Sequence, residues 1–133
     1  MSEETGKGFW GDAEVISIYT RAQALEDGVL VDVSETAKEA GIKFPVALTS
    51  TVWGQYVEVP EGVTGQDEAG RQWDILWMFR CAAARFKGST LLFKLHVRND
   101  NQDRTPPLVT LKAVCGPGDT PDAVITIMLP EED

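Results

Sequence analysis

The sequence contains little of the material from which proteins build catalytic and metal centres. Its 133 residues include one histidine, His96, and two cysteines. This supply is too small for a metal site of histidine and cysteine ligands, or for a disulfide framework. The motifs GxxxxGK[ST], HExxH, CxxC and GxSxG, which mark common phosphate, zinc, redox and hydrolase sites, do not occur. We therefore expect no metal, no cofactor and no standard catalytic residues, so that the sequence favours a non-enzymatic role without excluding an unusual enzyme.

Positive charge and long apolar runs are also scarce. Twelve Lys and Arg residues stand against 21 Asp and Glu residues, which gives a net charge of −9 and a pI of about 4.5. Because nucleic-acid binding needs clustered cations, we expect no direct binding of DNA or RNA. No apolar run approaches the roughly 18 residues of a membrane span, and the acidic N-terminus lacks the apolar centre of a secretory signal. These features predict a cytoplasmic protein without membrane contact and with reduced cysteines.

What remains is an ordinary globular composition, with 43% hydrophobic and 25% charged residues. A chain of this length forms one core without disulfide or metal support. We therefore predict a single domain over residues 1–133, in which the glycine- and glutamate-rich residues 1–14 form a loose N-terminal tail.

Local signals place helices in the first part of the chain and strands in the last part. A capping box at Thr20 and Gln23, an N-cap at Ser34 and glycine stops predict short helices. An apolar period of two after Gly88 predicts strands with turn-rich connections. The predicted elements are helices at 21–27 and 35–40, a helix that starts at Thr49 or Ser50 and ends before Pro60, a long helix at 67–87, and strands at 29–33, 91–98, 109–115 and 124–129.

The helix at 67–87 has the strongest signal. Acidic residues at its start and basic residues at its end complement the helix dipole. Its apolar side chains extend around almost the whole circumference, which predicts a central helix that is covered on several sides. The fold class is therefore α+β, with short N-terminal helices and one long central helix packed on a C-terminal three-stranded antiparallel sheet. Cys81 and Cys115 fall in these elements and are expected to be buried.

Arg80 is the most distinctive residue of this helix, because Trp73 and Trp77 share its face. A guanidinium among apolar side chains needs a carboxylate, carbonyl oxygens or an aromatic face. Two interpretations stay open: a pocket for a planar or anionic ligand, built with Trp53, or a tryptophan-rich core with a structural ion pair. An open cavity at Arg80 would favour the first. The candidate carboxylate partners are Asp32, Glu58 and Asp74.

Polar candidates lie beside this face and on the predicted sheet. Arg71 and Asp74 are three residues apart and can form a pair on the polar side of the helix. His96 lies mid-strand and is either a general base or ligand-binding residue, or a solvated strand residue. A basic patch on the open face of the sheet would receive an anion or an acidic partner, or would only keep the sheet from aggregating. Its members are Lys94, His96, Arg98 and Lys112.

The acidic surplus is spread along the whole chain rather than concentrated in one segment. Small acidic proteins can imitate nucleic acid by placing carboxylates where phosphates would lie, and they then occupy a cationic groove of a partner. The alternative is that the surplus serves only solubility.

Three segments carry a resemblance to a known family. They are IYTRAQALEDGVLVDV at 18–33, AKEAGIKFPVALT at 37–49 and GRQWDILWM at 70–78. They resemble an uncharacterised family of small bacterial proteins that are often encoded on plasmids, prophages and other mobile elements, and the resemblance extends from about Ile16 to the last strand. It implies the setting of an accessory gene, and it implies no activity and no site residues.

These observations predict a non-enzymatic acidic interaction protein that binds a host or mobile-element protein and modulates host or defence machinery. The contact would use the acidic surface or the basic sheet face. A small-ligand-binding domain or enzyme that uses Trp73, Trp77 and Arg80 with His96 is the first alternative, and a nucleic-acid mimic is the second. Neither the partner nor the oligomeric state follows from the sequence. The candidate binding residues are Arg71, Trp73, Asp74, Trp77, Arg80, Lys94, His96 and Arg98.

Overall fold

Residues 19–132 are described by a computed structural model of the chain. The predicted tail at 1–14 lies outside these residues. The elements are α1 (Arg21–Glu26), β1 (Leu30–Asp32), α2 (Ser34–Glu39), β2 (Val46–Thr49), α3 (Ser50–Val52), a π-helical turn (Trp53–Val57) that continues α3, α4 (Glu68–Ala83), β3 (Thr90–His96), β4 (Leu108–Pro117) and β5 (Ala123–Met128).

The helix starts follow the capping signals of the sequence. At α1, the Thr20 hydroxyl accepts a hydrogen bond from the Gln23 backbone N–H, and the Gln23 side chain accepts one from the Thr20 N–H, which confirms the capping box. At α3 the Thr49 hydroxyl accepts a hydrogen bond from the Val52 N–H, and at α4 the Asp67 carboxylate accepts one from the Gly70 N–H. Ser34, predicted to cap α2, is instead its first residue. Its hydroxyl donates to Asp32 Oδ1 at 2.6 Å and accepts from the Val46 N–H at 3.0 Å.

The sheet has five strands in the order β1-β2-β5-β4-β3. Strand β2 pairs with β5 in parallel, and the other neighbours are antiparallel. The fold is therefore α+β with one long helix, as predicted, but the predicted three-stranded antiparallel sheet is wrong. The strand at 29–33 joins the sheet through β2, a four-residue strand that sequence analysis missed. Its partner β5 lies far along the chain, so no local pattern indicated the pair.

The core lies between α4, α2 and one face of the sheet. On that face Leu48 stands beside Ile127, and both are fully buried. Ile75 and Leu76 of α4 are fully buried as well. Phe79 of α4 packs edge-on against Phe93 of β3, with ring centroids 5.8 Å apart. The apolar stripe of α4 therefore lies over the β3 side of the sheet.

The prediction that the long helix is covered on several sides is wrong. Trp73, Trp77 and Met78 are 36%, 41% and 40% exposed. The helix also ends at Ala83 rather than near Lys87. One face of α4 packs on the sheet while the opposite face carries aromatic side chains into solvent, which leaves them available for contacts outside the core.

None of the helices in the described part of the chain is long and apolar enough to cross a bilayer.

Candidate functional site

An open groove of about 470 Å³ lies at one end of the sheet, beneath the C-terminal half of α4. Its walls come from separate parts of the chain: the segment at 41–44, the last turns of α4, the segment at 86–89 and the sheet. The lining is mainly apolar. The larger apolar members are Ile42, Phe44, Phe79, Phe86, Leu91 and Ile125. Such a volume lies within the range of about 300–1,000 Å³ that is usual for small-molecule sites.

Arg80 lies at this groove and is held on two sides. Its guanidinium carbon lies 5.3 Å from the centroid of the Trp77 ring, which is a cation–π distance. On another side it meets Gly41, where a Cβ atom would come within 2.9 Å of Arg80 Nε. Gly41 also has φ +92°, a conformation that favours glycine. Only a residue without a side chain therefore leaves room for the guanidinium in this position.

Within residues 19–132, the Arg80 side chain has no ion pair and no hydrogen bond. The sequence allowed a carboxylate, carbonyl oxygens or an aromatic face as its partner, and in the described chain the aromatic face is the one present. The donors of Arg80 are thus available to an acceptor that enters the groove. Lys43 also lines the groove, and none of the described lining residues is acidic.

Trp73 and Trp77 form a stack on the outer face of α4. Their ring centroids are 5.8 Å apart and their planes differ by 10°. Neither residue is buried, so the expectation of a tryptophan-rich core is wrong at these two positions. Neither lines the groove, so the predicted pocket is also different from the one that exists. Trp53 is partly buried and packs against the core.

Arg71 lies on the opposite side of α4 from the exposed tryptophans and is only 5% exposed. Its guanidinium donates to four oxygens: Val57 O at 3.1 Å, Gln66 Oε1 at 2.9 Å, Arg98 O at 2.6 Å and Asn99 Oδ1 at 2.6 Å. Burial lowers the pKa of this guanidinium. In the described chain it makes no ion pair with Asp74, so the predicted i, i+3 pair is wrong. Arg71 joins the π-helical turn to the segment after β3 and is structural.

Asp74 and His96 meet at a small crevice of about 20 Å³ near Arg71. Asp74 has an exposed surface, yet the crevice removes water from its carboxylate, and this desolvation raises the pKa of Asp74. His96 Nδ1 lies 2.8 Å from Pro106 O. The crevice has room for about one water molecule and not for a substrate.

The structure separates His96 from Arg80. Arg80 lies at the groove near the start of β3, and His96 is the last residue of that strand. A site that combines Trp73, Trp77 and Arg80 with His96 is therefore not formed.

The predicted basic patch is brought together only in part. Lys94 and His96 are exposed on the outer face of β3. Arg98 lies beyond the strand, where its guanidinium donates to Gln102 O and, at 2.7 Å, to Arg104 O. Lys112 of β4 is opposite Leu92 and donates to Glu132 O. Lys94 and His96 are thus exposed to solvent. Arg98 and Lys112 instead make hydrogen bonds to backbone carbonyl groups of the protein itself.

Both cysteines are free and exposed, so their expected burial is wrong. Cys81 lies on the outward side of α4, and Cys115 lines the groove near the end of β4. Across residues 19–132, no three His, Cys, Asp or Glu side chains come together in a way that could hold a metal ion.

Sequence analysis found Arg80 and missed the rest of the groove. The missed residues that matter most are Gly41, Lys43, Phe44, Phe86 and Cys115. One signal existed: Phe44 directly precedes Pro45, and Phe86 lies two residues before Gly88, so both aromatic side chains fall at predicted turns, where there is little core to join. The two are 48% and 43% exposed.

The fold and the groove define an α+β protein with one cationic, apolar cleft and a separate arginine-centred structural cluster. A family model described as "Family of unknown function (DUF6573)" matches residues 7–133, and the chain belongs to that family. This confirms the resemblance to an uncharacterised family. No curated protein and no solved structure matches the chain significantly.

Proposed function

We propose that this chain is a binding protein that takes a small organic anion with an apolar body into the Arg80 groove. The observation that carries the proposal is an open apolar groove whose one prepositioned guanidinium has no acceptor among the described residues. Two interpretations of Arg80 were open: a ligand pocket, or a filled core with a structural ion pair. The open groove supports the ligand pocket.

The chemistry of the walls selects the ligand class. Phenylalanine and aliphatic side chains favour an apolar body, since each buried CH₂ group contributes about 0.8 kcal/mol. Arg80 and Lys43 favour a negative headgroup, and no described lining carboxylate opposes it. Because a guanidinium matches the planar fork of a carboxylate, an acyl or aryl carboxylate fits best, with a sulfonate as a usable analogue.

The position of Arg80 is set before any ligand arrives. Trp77 supports one face of the guanidinium, and Gly41 lets it lie close to the backbone. A donor that is already ordered loses less side-chain entropy on binding than a free arginine would. This preorganisation distinguishes Arg80 from the other exposed arginines.

The groove supports binding better than catalysis. Cys115 and Ser89 line it, but the described lining has no histidine or carboxylate that could act as a general base for either. We therefore retain the non-enzymatic interpretation as part of the proposal.

The experiment uses two probes that differ only in charge. One is 8-anilinonaphthalene-1-sulfonate, and the other is N-phenyl-1-naphthylamine, which lacks the sulfonate. A hydrogen bond to a charged group contributes about 1.5–3 kcal/mol, so Arg80→Gln should weaken the anionic probe at least about tenfold. The neutral probe should bind within about twofold of its original affinity, because the apolar walls are unchanged.

Two variants control this titration. Arg104→Gln removes the same charge from an exposed loop and should leave both affinities unchanged, since Arg104 pairs with Asp100 away from the groove. Ala84→Phe, at an exposed lining position, should block both probes by filling the groove. The proposal is wrong if Arg80→Gln and Arg104→Gln weaken the anionic probe equally, or if the native chain binds neither probe.

The setting is also part of the proposal: a cytoplasmic accessory protein of a bacterial mobile element. Its acidic composition and its resemblance to proteins of mobile elements support this setting. A protein partner that modulates host or defence machinery is the second candidate, and the exposed outer face of β3, which carries Lys94 and His96, favours it.

A further inference from the structure

Strand β3 forms one edge of the sheet, and within residues 19–132 its only neighbour is β4. Val97 N–H donates to Pro107 O, and Cys115 N–H donates to Ser89 O. These two bonds fix which residues of β3 face β4, because hydrogen-bonded and free residues alternate in an antiparallel pair. The backbone N–H and C=O groups that point to the free edge belong to Thr90, Leu92, Lys94 and His96.

The side chains of the same four residues lie on the outer face of the sheet and are exposed. Leu92 is 59% exposed, and Leu108, opposite His96 on β4, is 55% exposed. On the other half of this face Ala47 and Met128 are buried, since α1 and the residues near Glu132 lie against it. Within the described chain, no other element covers the part of this face that β3 forms.

This edge has an unusual combination of features. The ladder of β3 runs unbroken from Thr90 to His96, without proline or bulge, so the edge is straight enough to accept another strand. Neither β3 nor β4 contains a carboxylate, although the chain carries a net charge of −9. Lys94 therefore gives the free edge a local positive charge, and the exposed His96 ring lies on the same face as a hydrogen-bonding group.

We propose that β3 accepts an extended acidic segment of another protein as a sixth strand of the sheet. Its backbone would pair with Leu92 and Lys94, an apolar side chain would cover Leu92, and carboxylates would lie opposite Lys94 and His96. A second copy of this chain fits less well, because it would bring a second Lys94 to the same pair of strands in place of a carboxylate, and like charges across strands are destabilising. This inference goes beyond the proposed groove and does not depend on it.

The probe is the seven-residue peptide Thr-Glu-Thr-Glu-Thr-Val-Thr, which in an antiparallel pair puts its glutamates opposite His96 and Lys94 and its valine opposite Leu92. It is compared with the same peptide that carries lysine instead of glutamate. Amide NMR spectra of the full chain report where each peptide binds. The glutamate peptide should shift the amides of Leu92, Lys94 and His96 and slow their hydrogen exchange. The lysine peptide should bind at least about tenfold more weakly.

Two variants test the backbone and the charge separately. Leu92→Pro removes an N–H that points away from β4, so it should abolish peptide binding while β3 stays paired. Leu92→Thr is its control and keeps the N–H. Lys94→Glu should weaken the glutamate peptide at least tenfold and strengthen the lysine peptide, and this test holds even if the proline variant does not fold.

Three results would overturn the proposal. The first is equal binding of both peptides. The second is a shift pattern centred away from β3. The third is slow exchange of the Leu92, Lys94 and His96 amides in the chain without peptide, which would mean that a second copy or another part of this chain already pairs with the edge; sedimentation velocity would separate these two cases.

Discussion

Two arginines of helix α4, Arg71 and Arg80, lie in opposite settings. Arg71 is 5% exposed and donates to four oxygens at the side of a crevice of about 20 Å³. Arg80 lies against the Trp77 ring at a groove of about 470 Å³ and donates to no described residue. Among residues 19–132, an arginine thus joins separate chain segments at one end of the helix, whereas the arginine at the other end has no acceptor for its donors.

The difference arises from what surrounds each end of the helix. The π-helical turn leaves carbonyl groups without helical partners. Arg71 donates a hydrogen bond to the Val57 carbonyl, and Asn99 donates one to the Gln55 carbonyl at 3.0 Å. At the other end α4 stops at Ala83, and the segment at 86–89 and Leu91 form walls of the open groove. Within residues 19–132, the fold supplies four acceptors to Arg71 and none to Arg80, and this difference makes Arg71 structural.

The largest effect should come from Arg71→Met. This change removes the guanidinium donor from one buried and three partly buried oxygens. Because an unsatisfied buried acceptor costs about 1–3 kcal/mol, the free energy of unfolding should fall by about 3–5 kcal/mol. Arg80→Met should lower it by less than about 1 kcal/mol, since it removes only an exposed cation–π contact. Urea denaturation of both variants measures the difference, and equal losses would abolish the distinction between the two arginines.

Trp77→Ala should have an intermediate effect. A buried tryptophan would cost about 3–5 kcal/mol, but a side chain that is 41% exposed should cost about 1–2 kcal/mol. The variant should also weaken the anionic probe several-fold, because Arg80 loses its support. Trp73→Ala is the matched control: it breaks the same stack one turn away and should leave probe affinity unchanged. If the two variants weaken the probe equally, Trp77 does not position Arg80.

Asp74→Asn should have the smallest effect and the opposite sign. Desolvation raises the pKa of Asp74, so the folded chain holds this proton more tightly than the unfolded chain does. Stability therefore falls as pH rises from the ordinary aspartate value of about 3.9 through the raised folded value. The variant should be more stable than the original chain at pH 7 and equal to it near pH 3.

Urea denaturation at both pH values measures this change. Asp103→Asn, in an exposed loop, is the control and should show no such gain. A loss of stability in Asp74→Asn at pH 7 would mean that the carboxylate makes a favourable contact in the crevice.

Sequence analysis correctly predicted the structural features that depend only on neighbouring residues. The Thr20 capping box, the start of α4 at Asp67 and the three C-terminal strands follow from signals within a few residues. Strand β2 has only four residues and runs directly into the α3 cap, so its length and surroundings hid it. The exposure of Trp77 was mispredicted because an apolar helical pattern does not show how many faces the rest of the chain can cover.

The candidate site was predictable only at Arg80. Its helical neighbours Trp73 and Trp77 indicated an unusual guanidinium, and an aromatic face was among the partners expected. The groove itself is formed by α4, β4, β5 and two connecting segments, which meet only in the folded chain. No spacing along the sequence can indicate a cavity between elements so far apart.

The parallel pairing of β2 with β5 has a consequence for synthesis of the chain. Val46 pairs with Ile125, and Leu48 pairs with Ile127, so β2 lacks this neighbour until β5 has been translated. At roughly 5–20 residues per second, the apolar strand waits on the order of ten seconds. During that time the emerging chain presents an unpaired hydrophobic edge, until β5 joins β2 to β4 at the centre of the sheet.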